Sequence, residues 1–167
     1  VLLRGVDHRC RFLSQRRPGA LQPHTMDESV LEATTPRILP PLTDIDRPFW
    51  TGGRDGLLLI QRCASCRRWV HPPSADGCPA CGGELVYEPV SGHGTLFSFT
   101  VNHQQFHPDV PPPYVIAIVE LDEQADLRLP TNLVDADPDA LECGMAVQVR
   151  FEHNGEVYLP VFGPVPR

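Results

Sequence analysis

A chain of 167 residues with 21 acidic groups, 14 arginines and no lysine has room for one domain, or for a small module joined to another. Its nineteen prolines, about twice ordinary usage, argue against a helix-rich architecture, because proline removes a donor and clashes inside a helix. No apolar run approaches the ~20 residues of a membrane span, and with no secretory signal the cytoplasm is the expected compartment.

The charge is unevenly placed. Residues 1–25 hold five arginines against Asp7, a net of +4, while residues 26–167 hold nine arginines against twenty acids, a net of −11. An acidic body repels phosphate backbones at long range, which argues against nucleic acid as the natural partner. Arginine used to the exclusion of lysine reads as the mark of a GC-rich genome and not as a binding signal. Residues 1–25 show no helical or strand period. Met26 is read as the start of the chain, with the leading valine as translation from a GTG codon. Thr34-Thr35-Pro36 and Pro40-Pro41 punctuate the stretch that follows, so 1–43 is read as a disordered leader.

Order is expected from Asp44, with Asp46 capping a short helical turn that contains Pro48, Phe49 and Trp50 and ends at Gly52-Gly53. Leu57 to Ile60 reads as a buried strand, Trp69 to His71 as a brief return strand, and Glu84 to Glu88 as a third. Between them stand Cys63-x-x-Cys66 and Cys78-x-x-Cys81, eleven residues apart. A C-x-x-C turn aims two thiolates at one centre, and a second such turn completes a tetrahedron around zinc. Four sulfur ligands leave no open position, so the metal is expected to hold structure and not to catalyse. The segment 44–90 is therefore read as a helical turn and a self-contained zinc ribbon whose thin apolar core depends on metal.

Residues 91–167 have the texture of a small barrel. Thr95 to Val101, Tyr114 to Leu121, Leu127 to Leu133, Ala146 to Phe151 and Val157 to Phe162 read as five strands. Asp137-Pro138 opens a single helical turn, and Asn154-Gly155 signals a type I′ hairpin. The fold class is mainly β: a rubredoxin-like zinc ribbon followed by a five-stranded barrel of the OB type, with an SH3-like barrel or small sandwich fitting the pattern almost as well.

This order of parts resembles a known family, the bacterial and archaeal proteins that pair a rubredoxin-like zinc ribbon with an OB-fold. The resemblance rests on Pro48-Phe49-Trp50, Arg62-Cys63-Ala64-Ser65-Cys66, Cys78-Pro79-Ala80-Cys81-Gly82, the run Ser91 to Thr100, Pro112-Pro113-Tyr114, Val119-Glu120-Leu121, Gly144-Met145 and Pro160-Val161-Phe162. It covers roughly residues 44–164. Arg67-Arg68-Trp69 stands where the family keeps a glycine or polar turn after the first cysteine pair. The resemblance implies a non-catalytic subunit that binds a thiolase-like enzyme and helps form or cover its acyl-CoA site, in thiolysis, condensation or the retro-aldol cleavage of steroid side chains. Fold analogy does not choose among these.

Two clusters are candidates for the coenzyme A thioester. Arg62, Arg67 and Arg68 on the first knuckle suit phosphates, for which the guanidinium fork is shaped; the bland alternative is a solvated face or salt bridges with nearby carboxylates. His103, Phe106 and His107 lie on a proline-stiffened loop between the first two barrel strands, where barrel rims commonly bind ligands. An H-x-x-x-H pair binds metal when helical, and Pro108 speaks against that. For Cys143 the sequence shows no activating neighbour, and it reads as a buried structural thiol. No catalytic constellation is visible. The favoured reading is an accessory subunit in acyl-CoA, lipid or steroid metabolism. The competing class is a single-stranded nucleic-acid module, which the −11 body opposes, and a stand-alone enzyme comes last.

Overall fold

The computed structural model describes residues 30–32 and 37–165. The expectations for Met26 and the basic stretch before it lie outside these residues. Among the described residues, nine strands and one α-helix follow in chain order. They are β1 (Val30–Glu32), α1 (Arg47–Thr51), β2 (Leu58–Cys63), β3 (Trp69–Val70), β4 (Leu85–Val90), β5 (His93–Asn102), β6 (Tyr114–Leu121), β7 (Arg128–Leu133), β8 (Ala146–Asn154) and β9 (Val157–Pro164). Among the described residues no helix is long and apolar enough to cross a membrane.

Strands β2 to β4 form an antiparallel ribbon in the order β3-β2-β4. Strands β5 to β9 close into a barrel: β5-β6-β7 run as an antiparallel meander, β9 joins β7 in parallel at Leu133↔Phe162, and β8 links β9 back to β5. That strand order is the OB topology, and it selects the OB reading over the alternatives. A register shift between Leu96 and Ser98 bulges Phe97 out of β5. Such a bulge sharpens the bend that lets one strand pair with β6 along its length and with β8 at its start.

Alternation explains the strands. In β6, Val115, Ala117, Val119 and Leu121 face inward and are buried, while Ile116 and Ile118 face outward. Phe151 and Phe162 fill the barrel at 0% exposure, each side chain worth roughly 1.5–3 kcal/mol of transfer free energy.

Four local expectations are corrected. Gly52 does cap α1, but the chain runs on through Gly52-Gly53 as a 3-10 segment that stops at left-handed Gly56. Gly53 is there because a Cβ would lie 2.4 Å from Phe151 Cδ1 and 2.6 Å from Tyr158 Cβ, so the turn sits directly on the β8–β9 hairpin. Asp46 occupies the cap position, yet its carboxylate turns back to accept from the Thr43 N–H at 2.8 Å. The β8–β9 loop is Gly155-Glu156, with positive φ at the glycine and not at Glu156, the type II′ pattern. Order also begins before Asp44. Within the stretch read as leader, β1 pairs in parallel with Phe151 to His153, and Arg37 pairs with Glu152 at 2.8 Å.

The ribbon is not self-contained either. Phe49, Leu58, Ile60, Trp69 and Val90 belong to one continuous apolar core with the barrel side chains. Gln124, in the β6–β7 turn, grips the ribbon by accepting from the Trp69 N–H at 2.9 Å and donating to the Trp69 carbonyl at 3.2 Å.

Candidate functional site

The two knuckles are built alike. In the first, the Arg67 N–H donates to the Cys63 carbonyl at 3.0 Å and the Cys63 N–H to the Arg68 carbonyl at 2.8 Å. In the second, the Gly82 N–H donates to the Cys78 carbonyl at 2.8 Å and the Cys78 N–H to the Gly83 carbonyl at 2.9 Å. Arg67 and Gly82 are therefore equivalent positions, and both are left-handed, with φ of 63° and 71°.

These turns bring the four sulfurs within 4.8 Å of one another. Cys63 Sγ lies 3.5 Å from Cys81 Sγ, and Cys66 Sγ 3.6 Å from Cys78 Sγ. A tetrahedron with zinc–sulfur bonds of about 2.3 Å has edges of about 3.8 Å, so the arrangement fits the ion. The electrostatics agree. The Cys66 N–H helps hold the Cys63 thiol down at about 6. At Cys81 the Gly83 N–H also favours the thiolate, but the neighbouring sulfurs outweigh it and push the group up to about 12. Four thiolates this close need a cation among them.

The arginine cluster has an internal partner. Arg67 makes a two-pronged pair with Glu88 at 2.8 and 2.9 Å, and Arg62 reaches the same carboxylate at 3.1 Å. The Arg67 bonds first, then those of Arg62, hold the Glu88 carboxyl below its ordinary range. Arg62 also lies over the Trp69 ring at 4.6 Å, which fixes Trp69 as a packed residue of the ribbon. Arg68 is exposed and has no carboxylate partner among the described residues. Three guanidinium groups against Glu88 leave a local net charge of +2.

His103, Phe106 and His107 lie elsewhere. Their loop follows the Asn102↔Tyr114 pair, whereas the opposite end of the same β5–β6 hairpin, at Gly94↔Leu121, leads to the turn that holds Trp69. Seven strand steps, about 23 Å, separate the two ends. The arginines come together, and the loop does not join them. Phe106 is 72% exposed, and the loop is ordered by Asn102 Nδ2 donating to Gln104 O at 2.6 Å and Gln105 Nε2 donating to Pro108 O at 2.8 Å. His107 contacts Asp109 at 3.7 Å. Cys143 is exposed, contrary to expectation.

A cleft of about 450 Å³ was not anticipated. It lies where α1, the ribbon and β7 meet, between Ile45, Trp50, Pro72, Pro73, Leu129 and Pro130. His71 lines it, and burial lowers its imidazole to about 4. Its Nδ1 is buried without a hydrogen-bond partner. Phe49 is 3% exposed and packs 5.1 Å from the His71 ring, so it is core, while Trp50 is half-buried in the cleft wall. The Tyr87 hydroxyl donates to the Ile45 carbonyl at 2.6 Å, and burial followed by the Asp46 charge raises it to about 12.

Comparison with known proteins covers both halves. Residues 50–86 match the ChsH2 rubredoxin-like zinc ribbon domain and residues 87–152 the ChsH2 C-terminal OB-fold domain. A probable enoyl-CoA hydratase alpha subunit of Thermomonospora curvata is 41% identical over 74% of this chain, which spans only 39% of that protein's length. A DUF35 domain-containing scaffold protein of Methanocaldococcus jannaschii is 36% identical over 59% of this chain and 70% of its own. A solved structure described as the Ltp2-ChsH2(DUF35) aldolase contains a chain 38% identical, with a TM-score of 0.68 over 75% of this chain and 98% of that one. A DUF35-family protein of Sulfolobus solfataricus, at 13% identity and a TM-score of 0.53, shares the fold. The chain belongs to the ChsH2-type family, in which a rubredoxin-like zinc ribbon is joined to a C-terminal OB-fold.

Proposed function

We propose that this protein is a non-catalytic accessory subunit that binds a thiolase-like enzyme, thiolase or aldolase, and contributes to its acyl-CoA site. The observation that carries the reading is the near-complete match, over 98% of its length, to the chain that stands with an aldolase in the solved complex. The scaffold name of the archaeal relative points the same way, and the hydratase alpha subunit is a longer protein of which this chain matches the lesser part.

Cys63, Cys66, Cys78 and Cys81 would hold a structural zinc. A closed sulfur site supplies folding energy and no open position for chemistry. The zinc then braces the knuckle that carries the cationic cluster. Arg68 is its outward member and the one to meet a coenzyme A phosphate. Arg62 and Arg67 are turned to Glu88. Catalytic nucleophile and base belong to the partner.

The test is calorimetry of an acyl-CoA with this chain alone, with an untagged thiolase-like partner alone, and with the complex. Tightest binding by the complex, weakened about tenfold by Arg68→Ala through loss of a charge-assisted contact, is the expected result. Turnover by the isolated chain would overturn the accessory reading.

A further inference from the structure

The arm that leads into α1 is held at both ends and turns apolar side chains outward. At its start Arg37 donates to the two Glu152 oxygens at 2.8 and 2.9 Å and to Asn132 Oδ1 at 3.3 Å. At its end Thr43 and Asp46 exchange backbone-to-side-chain bonds, and Tyr87 holds the Ile45 carbonyl. Pro40 and Pro41 stiffen the stretch between. Ile38 is nonetheless 78% exposed, Leu39 41% and Ile45 40%. Scattered exposed apolar residues need no explanation. A pinned, proline-stiffened segment that shows three of them is different, because the ordering cost of a protein contact has already been met.

This arm borders a sheet face of the same character. Asn132, which Arg37 reaches, is paired with Ile116, and the next pair on that face is Ile118 with Pro130. Directly paired residues share a face, so Ile116, Ile118 and Pro130 lie on the side where Arg37 docks. Ile116 is 44% and Ile118 36% exposed, and Pro130 meets Ile45 across the cleft. The arm meets the sheet face at the Arg37–Asn132 bond, and the sheet face meets the cleft at Pro130, so the three adjoin.

We infer that this surface seats the thiolase-like enzyme subunit, through an apolar patch with a basic rim. The inference rests on the accessory-subunit reading and assigns its contact face. Charge decides among the occupants. Arg37 and Arg128 on the face are already paired, with Glu152 and with Glu120 and Asp126, and at its border only exposed Arg47, next to Asp46 in the chain, has no carboxylate partner among the described residues, so the face offers no cationic cluster for a phosphate. A second copy would bring together two bodies of −11 each, which repel. A different chain with basic residues around an apolar patch is attracted to the same face, with exposed Asp44 and the cleft-lining Asp46 as its acidic rim.

The experiment compares the wild type with the double variant Ile38→Asp/Ile116→Asp, using purified Ltp2, the aldolase of the relative's complex, as the probe. Ile38 is mostly exposed and Ile116 nearly half, so zinc content should stay as in the wild type and the melting temperature should fall only by what aspartate costs in a strand, a few degrees. Calorimetry should show wild-type binding and at least a tenfold loss in the double variant. Val86→Asp makes the same change on the ribbon strand β4, where alternation points it away from Tyr87 and the arm, and should stay within about twofold of wild type. Equal affinity of wild type and double variant would overturn the surface and leave the accessory reading standing. No binding by the wild type would overturn that reading and the surface with it. A wild-type dimer that dissolves in the double variant would give the face to a second copy and overturn the hetero-partner assignment.

Discussion

In the barrel, Leu96, Val119, Phe151 and Phe162 have no exposed surface, and the strands close on one another so that the ladder nearly satisfies itself. In the ribbon, buried Leu58, Ile60, Trp69 and Val90 belong to the barrel's core, while Val70 is buried outside it. Beyond Cys63 the knuckles bury little besides sulfur. One half is held by area removed from water and the other by ligand bonds, with β2 as the seam between them. The lesson is that the boundary of dependence on metal is not the boundary of the ribbon. Leu58 and Ile60 should stay docked when the sulfurs lose their ion, and residues 63–66 and 78–83 should not.

The largest effect tests that boundary. Chelation at neutral pH removes metal-linked stabilisation on the order of 10 kcal/mol. Hydrogen exchange should then show the amides of Cys66, Arg67, Cys78 and Gly82 losing protection while those of Val115 to Val119 keep theirs. Loss of both sets in one step would break the distinction and make ribbon and barrel a single cooperative unit.

Phe151→Ala probes the other half. The side chain is fully buried and forms the seat under Gly53, so its removal should cost about 3–5 kcal/mol. The denaturant midpoint should fall accordingly, with one zinc per chain retained before the transition. Loss of zinc under native conditions would show that the knuckles lean on the barrel more than the contacts indicate.

The junction between the halves carries a pH signature at His71. Burial lowers its folded-state value to about 4, against about 6.5 when unfolded. Above 6.5 the group is neutral in both states and adds no pH dependence. As pH falls towards 4 the unfolded chain takes up the proton first, so stability is lost across that window, by up to ~3 kcal/mol. His71→Gln should lose less stability than wild type between pH 7 and 4 by that amount in urea titrations, since zinc release affects both alike. Parallel curves would mean that the imidazole finds a partner when protonated.

How far the sequence revealed this molecule depends on the range of the interaction. Period-two alternation is local, so Tyr114 to Leu121 and the other barrel strands were legible, as was the Asp137 turn, whose carboxylate accepts from the Asp139 N–H at 3.0 Å. The paired C-x-x-C turns are local too. What escaped is set by tertiary contact. Gly52-Gly53 looked like a terminator because nothing nearby announces Phe151 above it. His71 reads as the end of a brief strand before two prolines, and nothing local announces the cleft it lines between α1 and β7. The pairing of Arg62 and Arg67 with Glu88, weighed as the alternative to a phosphate site, spans 26 and 21 residues, so the pattern could not name Glu88 as the partner. Three-residue β1 has no period to read, and its pairing is parallel to a strand more than a hundred residues on.

The smallest effect lies inside the ribbon and compares the two knuckles themselves. At equivalent positions one knuckle carries Gly82 and the other Arg67, both with positive φ. A side chain at such a φ costs roughly 1–2 kcal/mol, which Arg67→Gly would relieve. Against that gain, glycine raises the entropy of the unfolded chain by roughly 0.4–1 kcal/mol, and the half-exposed pair with Glu88 is lost, worth about 1 kcal/mol or less. Arg67→Gly should therefore fall within about 1 kcal/mol of wild type. Arg67→Ala keeps the strain and loses the pair, so it should be the less stable of the two by about 1 kcal/mol. Gly82→Ala has open space for its Cβ and pays only the backbone term, of similar size. Thermal melts of the zinc-loaded variants should thus rank glycine above alanine at both positions. Alanine matching glycine at position 67 alone would mean that the first knuckle relaxes out of the left-handed region once Arg67 lets go of Glu88. The ion pair, and not the sulfur geometry, would then be what sets that turn.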